Sequence, residues 1–179
     1  MSALIKIGLI YGSTRAGRFC DRVAQWASQM AATAGFEVQA IDPAKSTDDT
    51  ELQRHIEKCD GFVVVTPEYN HGYPAPLKSL IDSVGAGWHA KPVAFVSYGG
   101  ISGGLRAVEQ LRLVFAELHT VTIRDSVSFA GAWEQFDESG ALRNPERAQR
   151  GMETLLARLN WWAVALRRAR STTPYALSA

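Results

Sequence analysis

The residues that follow the first apolar segment are of the types that bind phosphate. Residues 4–10 are almost continuously apolar, and Gly12-Ser13-Thr14-Arg15 comes shortly after them. The start of a helix offers unpaired backbone N–H groups to an anion, and hydroxyl and guanidinium groups add further donors. The sequence predicts a phosphate-binding loop, and the alternative is a plain helix cap with solvated arginines. Its candidate ligand-binding residues are Ser13, Thr14, Arg15, Arg18, Phe19 and Cys20.

Two common nucleotide-binding motifs do not fit this loop. Gly12 and Gly17 have the GxxxxG spacing of a P-loop, but Arg18 and Phe19 stand where that motif needs a lysine and a hydroxyl residue. The GxGxxG dinucleotide pattern is also missing, because Gly8, Gly12 and Gly17 have the wrong separations. Both motifs are therefore disfavoured.

Two further loops have the composition to hold a flat ring. Residues 67–74 read Pro-Glu-Tyr-Asn-His-Gly-Tyr-Pro, and residues 99–104 contain four glycines. A heteroaromatic ring such as isoalloxazine needs an aromatic or apolar wall and hydrogen bonds to its pyrimidine edge. The alternative is a pair of ordinary turns with incidental aromatic residues. The candidates are Pro67, Glu68, Tyr69, Asn70, His71, Ser97, Tyr98, Gly99, Gly100, Gly103 and Gly104.

Apolar strands alternate with helical periods along the whole chain. Strands are predicted at residues 4–10, 36–41, 61–66, 92–98 and 120–129, and the last helix is predicted from Asn144-Pro145-Glu146 to about Leu166. This alternation predicts an α/β three-layer sandwich, and five parallel strands favour the flavodoxin-like order 2-1-3-4-5. In that order the loops after strands one, three and four converge, and they are the three loops described above.

Length and composition predict one domain that recognises its ligand locally. The chain has 179 residues and a formal net charge of +1, so we expect a single domain over residues 1–179, with its core at about 4–166 and a loose tail at 171–179. The near-neutral charge predicts no nucleic-acid or membrane partner. With neither a leader nor a long apolar run, a cytoplasmic location is expected. The four histidines show no metal-ligand spacing, so no metal is expected.

The three loops together resemble those of the NADPH-dependent FMN reductase family. The segments that carry the resemblance are Gly12-Ser13-Thr14-Arg15, Pro67-Glu68-Tyr69-Asn70 and residues 97–104. The family's first motif continues with a serine and an asparagine, where this chain has Arg18 and Cys20. The resemblance leaves two questions open, whether Arg18 also binds phosphate or faces outward, and whether Cys20 packs or is a minor donor.

The resemblance also implies an activity. It implies that Ser13 and Arg15 hold the FMN phosphate and that residues 67–70 lie along the isoalloxazine ring. NAD(P)H would pass hydride to flavin N5, and the electrons would go on to free flavin, a quinone or a similar small acceptor, so no catalytic side chain is expected. Similar enzymes form homodimers or homotetramers.

Two other functions suit the same predicted fold. A flavodoxin-type electron carrier would bind FMN without reacting with NAD(P)H, but such carriers usually have an acidic surface. A receiver-type signalling domain would need acidic residues after strands one and three, where this chain has Tyr11-Gly12 and Thr66-Pro67. The acceptor, the choice of NADH or NADPH, and whether FMN is cofactor or substrate are left open by the sequence.

Overall fold

Five parallel strands form the centre of the molecule. The computed structural model describes residues 4–45 and 48–175. Its sheet has the order β2-β1-β3-β4-β5, which confirms the predicted fold class and strand order. The strands are β1 (Lys6–Tyr11), β2 (Glu37–Ile41), β3 (Gly61–Pro67), β4 (Pro92–Gly99) and β5 (Val121–Ala130).

Helices cover both faces of the sheet. One layer contains α1 and α6, and the other contains α2, α3 and α4. None of the helices in the described ranges has the length and apolar character needed to cross a bilayer. The helices are α1 (Cys20–Thr33), α2 (Asp49–Lys58), α3 (Ala75–Asp82), α4 (Leu105–Glu117), α5 (Ala132–Gln135) and α6 (Glu146–Thr172). The short α5 and a 3-10 turn at Ala86–Trp88 are additions to the predicted elements.

The continuous apolar character of β3 follows from its position at the centre of the sheet. All seven of its residues are buried. Val63 and Val65 point into the layer of α1 and α6, whereas Phe62 and Val64 point into the layer of α2, α3 and α4. A strand covered on both faces must be apolar at both alternating sets of positions.

The register of the strands brings the three loops to one edge of the sheet. Tyr11 at the end of β1 pairs with Val65 of β3, and Pro67 at the end of β3 pairs with Tyr98 of β4. The chain leaves β1 toward β2 on one side and leaves β3 toward β4 on the other side. The loops therefore surround the switch point where ligands bind in open α/β sheets.

The last helix extends beyond its predicted end. It runs to Thr172 rather than to about Leu166, and it begins at Glu146, directly after Pro145. The extra turn is tied to the sheet, because Arg167 donates to the Leu4 carbonyl at 3.1 Å and pairs with Asp60 at 3.2 Å. Residues 171 and 172 of the predicted tail are thus helical, and residues 176–179 lie outside the described residues.

Candidate functional site

The loop after β1 passes very close to β3. The Gly12 N–H donates to the Val65 carbonyl at 2.7 Å. A Cβ at position 12 would lie 2.7 Å from that oxygen and 2.9 Å from Thr66 Cα, so only glycine fits. Beyond it, the backbone N–H groups of Thr14, Ala16 and Gly17 have no hydrogen-bond acceptor among the described residues. These donors are available to an anion.

Two side chains of this first loop contact the second loop through Tyr69. The Ser13 hydroxyl is buried and lies 2.8 Å from the Tyr69 hydroxyl, in hydrogen-bond contact. The guanidinium carbon of Arg15 lies 3.6 Å from the centre of the Tyr69 ring, and this arginine is exposed. In the described part of the chain Arg15 pairs with no carboxylate. Its charge is therefore uncompensated, and it lies in the same loop as the free N–H groups.

Arg18 is held by two carboxylates below the loop. Its guanidinium donates to both oxygens of Asp42 at 2.7 and 2.5 Å, and its Nε donates to Asp21 at 2.8 Å. It also donates to the Ser13 carbonyl. The Arg18 and Asp42 side chains are only 9% and 6% exposed. Burial opposes ionisation of Asp42, but hydrogen bonds from Arg18 and the Ala44 N–H outweigh it and lower its pKa.

Phe19 and Cys20 pack beneath the loop. The Phe19 ring lies 5.9 Å from the Tyr98 ring and 5.5 Å from the Phe136 ring, measured between centroids. Cys20 is fully buried, and its thiol donates to the Val65 carbonyl at 3.6 Å. Burial raises the pKa of the Cys20 thiol. The contacts of Cys20 are those of a packing residue, which was one of the two interpretations left open by the sequence.

The second loop contains a tight two-residue hairpin. Tyr69 and Gly72 exchange backbone hydrogen bonds of 2.9 and 3.0 Å, and Asn70 and His71 between them have φ angles of 50° and 68°. Positive φ at both central residues is typical of a type I′ turn, in which glycine is common at the second position. His71 adopts this conformation with a side chain, which costs backbone strain. The exposed Asn70 and His71 N–H groups have no acceptor in the described ranges.

Glu68 joins the second loop to the third. Its carboxylate accepts from the Ser102 hydroxyl at 2.7 Å, from the Arg106 N–H at 3.1 Å and from the Arg106 guanidinium at 2.7 Å. Burial alone would raise the pKa of Glu68, but these hydrogen bonds lower it. Glu68 therefore fixes the start of α4 against the end of β3, and its side chain is directed at α4.

The third loop is fixed from below and exposed at its tip. The buried Ser97 hydroxyl donates to the Gly103 carbonyl at 2.8 Å, and Ser128 donates to the same oxygen at 2.9 Å. Gly103 and Gly104 have φ angles of 60° and 86°. At the tip, Gly100 is exposed and Ile101 is 96% exposed. Ile101 was not among the predicted site residues, because an isolated apolar residue in a loop carries no sequence signal.

The structure divides the predicted site residues into two groups. The first group lies at the surface where the loops meet and consists of Thr14, Arg15, Tyr69, Asn70, His71 and Gly100. The second group lies beneath that surface and consists of Ser13, Arg18, Phe19, Cys20, Pro67, Glu68, Ser97, Tyr98, Gly99, Gly103 and Gly104. Among the described residues, no three His, Cys, Asp or Glu side chains are grouped so as to hold a metal ion.

A family model decides the relationship of this chain to known proteins. The model described as NADPH-dependent FMN reductase matches residues 5–134. The chain belongs to this family. An NAD(P)H-dependent FMN reductase of Schizosaccharomyces pombe is 38% identical over 120 residues, which cover 55% of this chain and 60% of that protein. An NAD(P)H:quinone oxidoreductase of Solanum tuberosum is 31% identical over 178 residues, covering 86% of this chain and 91% of that protein.

The fold of this FMN reductase family member is shared with a solved flavoenzyme. FerB, an NAD(P)H:(acceptor) oxidoreductase of Paracoccus denitrificans, matches with a TM-score of 0.71, covering 92% of this chain and 98% of that chain. The two sequences are 19% identical, so the likeness concerns the fold alone. The predicted family and the flavodoxin-like fold are thereby confirmed.

The first loop of this family member has the donors that an FMN phosphate requires. Its free backbone N–H groups and Arg15, which pairs with no carboxylate among the described residues, all lie within residues 14–17, and Gly12 keeps the loop against the sheet. Arg18 stands where the family motif has its second serine, and its donors are already engaged by Asp42, Asp21 and the Ser13 carbonyl. The residues present fit the phosphate, with Arg18 supporting the loop from below.

Proposed function

We propose that this chain is an NAD(P)H-dependent oxidoreductase that holds FMN where the three loops meet and reduces free flavin, a quinone or a similar small acceptor. The observation that carries the proposal is that, within the described residues, the backbone N–H groups of Thr14, Ala16 and Gly17 have no acceptor and Arg15 in the same loop has no carboxylate partner. Family membership and the names of the relatives support the same activity.

In this proposal, the residues of the chain bind and orient FMN, and they do not transfer protons. Bound FMN supplies the redox chemistry, by accepting hydride from NAD(P)H and passing electrons to the acceptor. Thr14, Arg15 and the free N–H groups of the first loop would hold its phosphate, and the buried Ser13 would support that loop through its contact with Tyr69. The free N–H groups of Asn70 and His71 would donate to the polar edge of its ring. Because no proton transfer from the protein is required, no catalytic side chain is assigned.

The buried predicted residues have supporting roles in this proposal. Arg18 and Cys20 hold the phosphate loop through the Ser13 and Val65 carbonyls. Glu68 holds the second and third loops together. Ser97 fixes the glycine turn on which the third loop depends. The expected homodimer or homotetramer and the expected cytoplasmic location stay predictions.

Replacing Arg15 by alanine tests the phosphate site. Arg15→Ala is expected to weaken FMN binding by about 1 to 3 kcal/mol, because a charge-assisted hydrogen bond to phosphate is lost. The dissociation constant is measured by titrating the apoprotein with FMN and following flavin fluorescence. Riboflavin, which has the same ring but no phosphate, should bind the wild type and the variant equally well.

Arg54→Ala is the matched control for this substitution. Arg54 is an exposed arginine of α2 whose guanidinium donates to the Thr50 carbonyl of its own helix. Its replacement should leave the FMN affinity unchanged. If Arg15→Ala bound FMN as tightly as the wild type, or weakened FMN and riboflavin to the same extent, the assignment of the phosphate to this loop would be wrong.

A further inference from the structure

A second cavity lies on the other side of the third loop from the phosphate site. It has a volume of about 620 Å³ and is enclosed by the tip of the third loop, the outer end of β5 and the start of α6. We call it the β5 cavity. Residues that matter for its chemistry are Ile101, Leu105, Ser126, Gln135, Asn144 and Arg147. The proposed FMN contacts do not require it.

The polar residues of the β5 cavity favour an anionic ligand. Among the described residues, Arg147 is the single charged residue in its lining, and none of these lining residues is a carboxylate. Arg147 is exposed, and within residues 4–45 and 48–175 it forms no ion pair. Asp125, the neighbour of Ser126, is already paired with Arg158 at 2.8 Å. A guanidinium without a carboxylate partner beside hydroxyl and amide groups is suited to phosphate.

The apolar residues of the β5 cavity favour a ligand that also has a flat ring. Ile101 is 96% exposed and Leu105 is 48% exposed, and both lie at the rim of the cavity. The Gln135 amide nitrogen donates to the Ala130 carbonyl at 2.6 Å, which leaves its side-chain oxygen to accept from an exocyclic amino group. Such a combination of apolar surface, an acceptor and a cation matches an adenosine that carries phosphate.

The position of the cavity relates it to the proposed reaction. Ile101 and Ser102 line the cavity and also belong to the third loop, so the cavity and the proposed FMN site lie against the same loop. We propose that the β5 cavity receives the adenosine half of NADPH and that Arg147 binds its 2′-phosphate. This inference rests on the proposed function and makes NADPH, rather than NADH, the preferred donor.

Direct binding of 2′,5′-ADP tests the inference without flavin or turnover. By calorimetry, the wild type should bind 2′,5′-ADP more tightly than 5′-AMP. Arg147→Ala should weaken 2′,5′-ADP about 10- to 100-fold and leave 5′-AMP unchanged, because one charge-assisted contact is lost. Arg147→Lys should restore part of the affinity. Arg150→Ala, at an exposed arginine of α6 outside the cavity lining, is the matched control and should change nothing.

Steady-state kinetics gives an independent readout. In Arg147→Ala, the KM for NADPH should rise about 10-fold or more while the KM for NADH and both kcat values stay the same. A wild type that binds FMN and oxidises NADPH, but whose 2′,5′-ADP affinity does not depend on Arg147, would overturn this inference and leave the proposed function intact. Conversely, a chain that binds no FMN would contradict the proposed function, while the calorimetry would still show whether the β5 cavity binds 2′,5′-ADP through Arg147.

Other occupants of the β5 cavity would give different results. If excess FMN bound there and 2′,5′-ADP did not, the cavity would be an acceptor site, and the inference would be wrong. If Ile101→Glu lowered the molecular mass in solution and 2′,5′-ADP bound nowhere, the cavity would be covered by a second copy of the chain, which also contradicts the inference.

Discussion

Asp42→Ala is expected to lower the free energy of unfolding by about 3 kcal/mol, because it leaves the Arg18 guanidinium buried without its bidentate partner. The two side chains are only 9% and 6% exposed, so the guanidinium loses most of its compensating charge when this carboxylate is removed. The same substitution should weaken FMN binding about 10-fold, since Arg18 would no longer be fixed against the Ser13 carbonyl. Urea unfolding and an FMN titration measure the two effects.

Asp21→Asn is the matched control for Asp42→Ala. Asp21 binds the same guanidinium at 2.8 Å, but its side chain is 59% exposed. An exposed ion pair contributes less than about 1 kcal/mol, so Asp21→Asn should barely change the unfolding free energy. If Asp42→Ala bound FMN more tightly than the wild type, the released Arg18 would be a phosphate ligand, and its supporting role would be refuted.

Gly104→Ala is expected to lower the free energy of unfolding by about 2 to 5 kcal/mol through two separate causes. Gly104 has a φ of +86°, which costs an L-residue about 1 to 2 kcal/mol. A Cβ there would also lie 2.8 Å from Ser97 Cβ and 2.9 Å from the Tyr98 nitrogen, and overpacking of this kind costs about 1 to 3 kcal/mol. Denaturant unfolding measures the sum.

Gly35→Ala separates the two causes. Gly35 has a φ of +88°, but a Cβ there would meet no atom within 4 Å. It should lose only the conformational part, about 1 to 2 kcal/mol. Equal losses in the two variants would show that the third loop shifts to accommodate the added methyl group. That result would contradict the fixed conformation that we describe for this loop.

The five-stranded sheet could be predicted because each strand is marked by a pattern in its own short stretch of sequence. The apolar strands and the helical periods between them are short-range patterns, and the rule for parallel sheets converts their alternation into an order. The same order brings together the ends of β1, β3 and β4, so the three candidate loops were found without knowing any contact. Asp48 caps α2, where its side chain accepts from the Thr50 N–H at 3.2 Å, and an aspartate just before a helix is a local signal of the same kind.

The roles of individual side chains could not be predicted because they depend on long-range contacts. Arg18 has the composition of a phosphate ligand, and only its position beside the end of β2 shows that Asp42 engages it. Glu68 likewise meets Ser102 and Arg106 across two loops. The end of α6 is set by Asp60, far away in sequence, and helical periodicity contains no information about that partner.

The central claim is that FMN binds where the three loops meet and reacts there with NAD(P)H. An absorption spectrum of the purified protein with added FMN, taken before and after anaerobic addition of NADPH, tests it most directly. We predict a perturbed visible flavin band that bleaches with NADPH and returns when a quinone is added. A bound flavin that stays oxidised with both NADPH and NADH would indicate an electron carrier and contradict the reductase activity, and no binding at all would contradict the site itself.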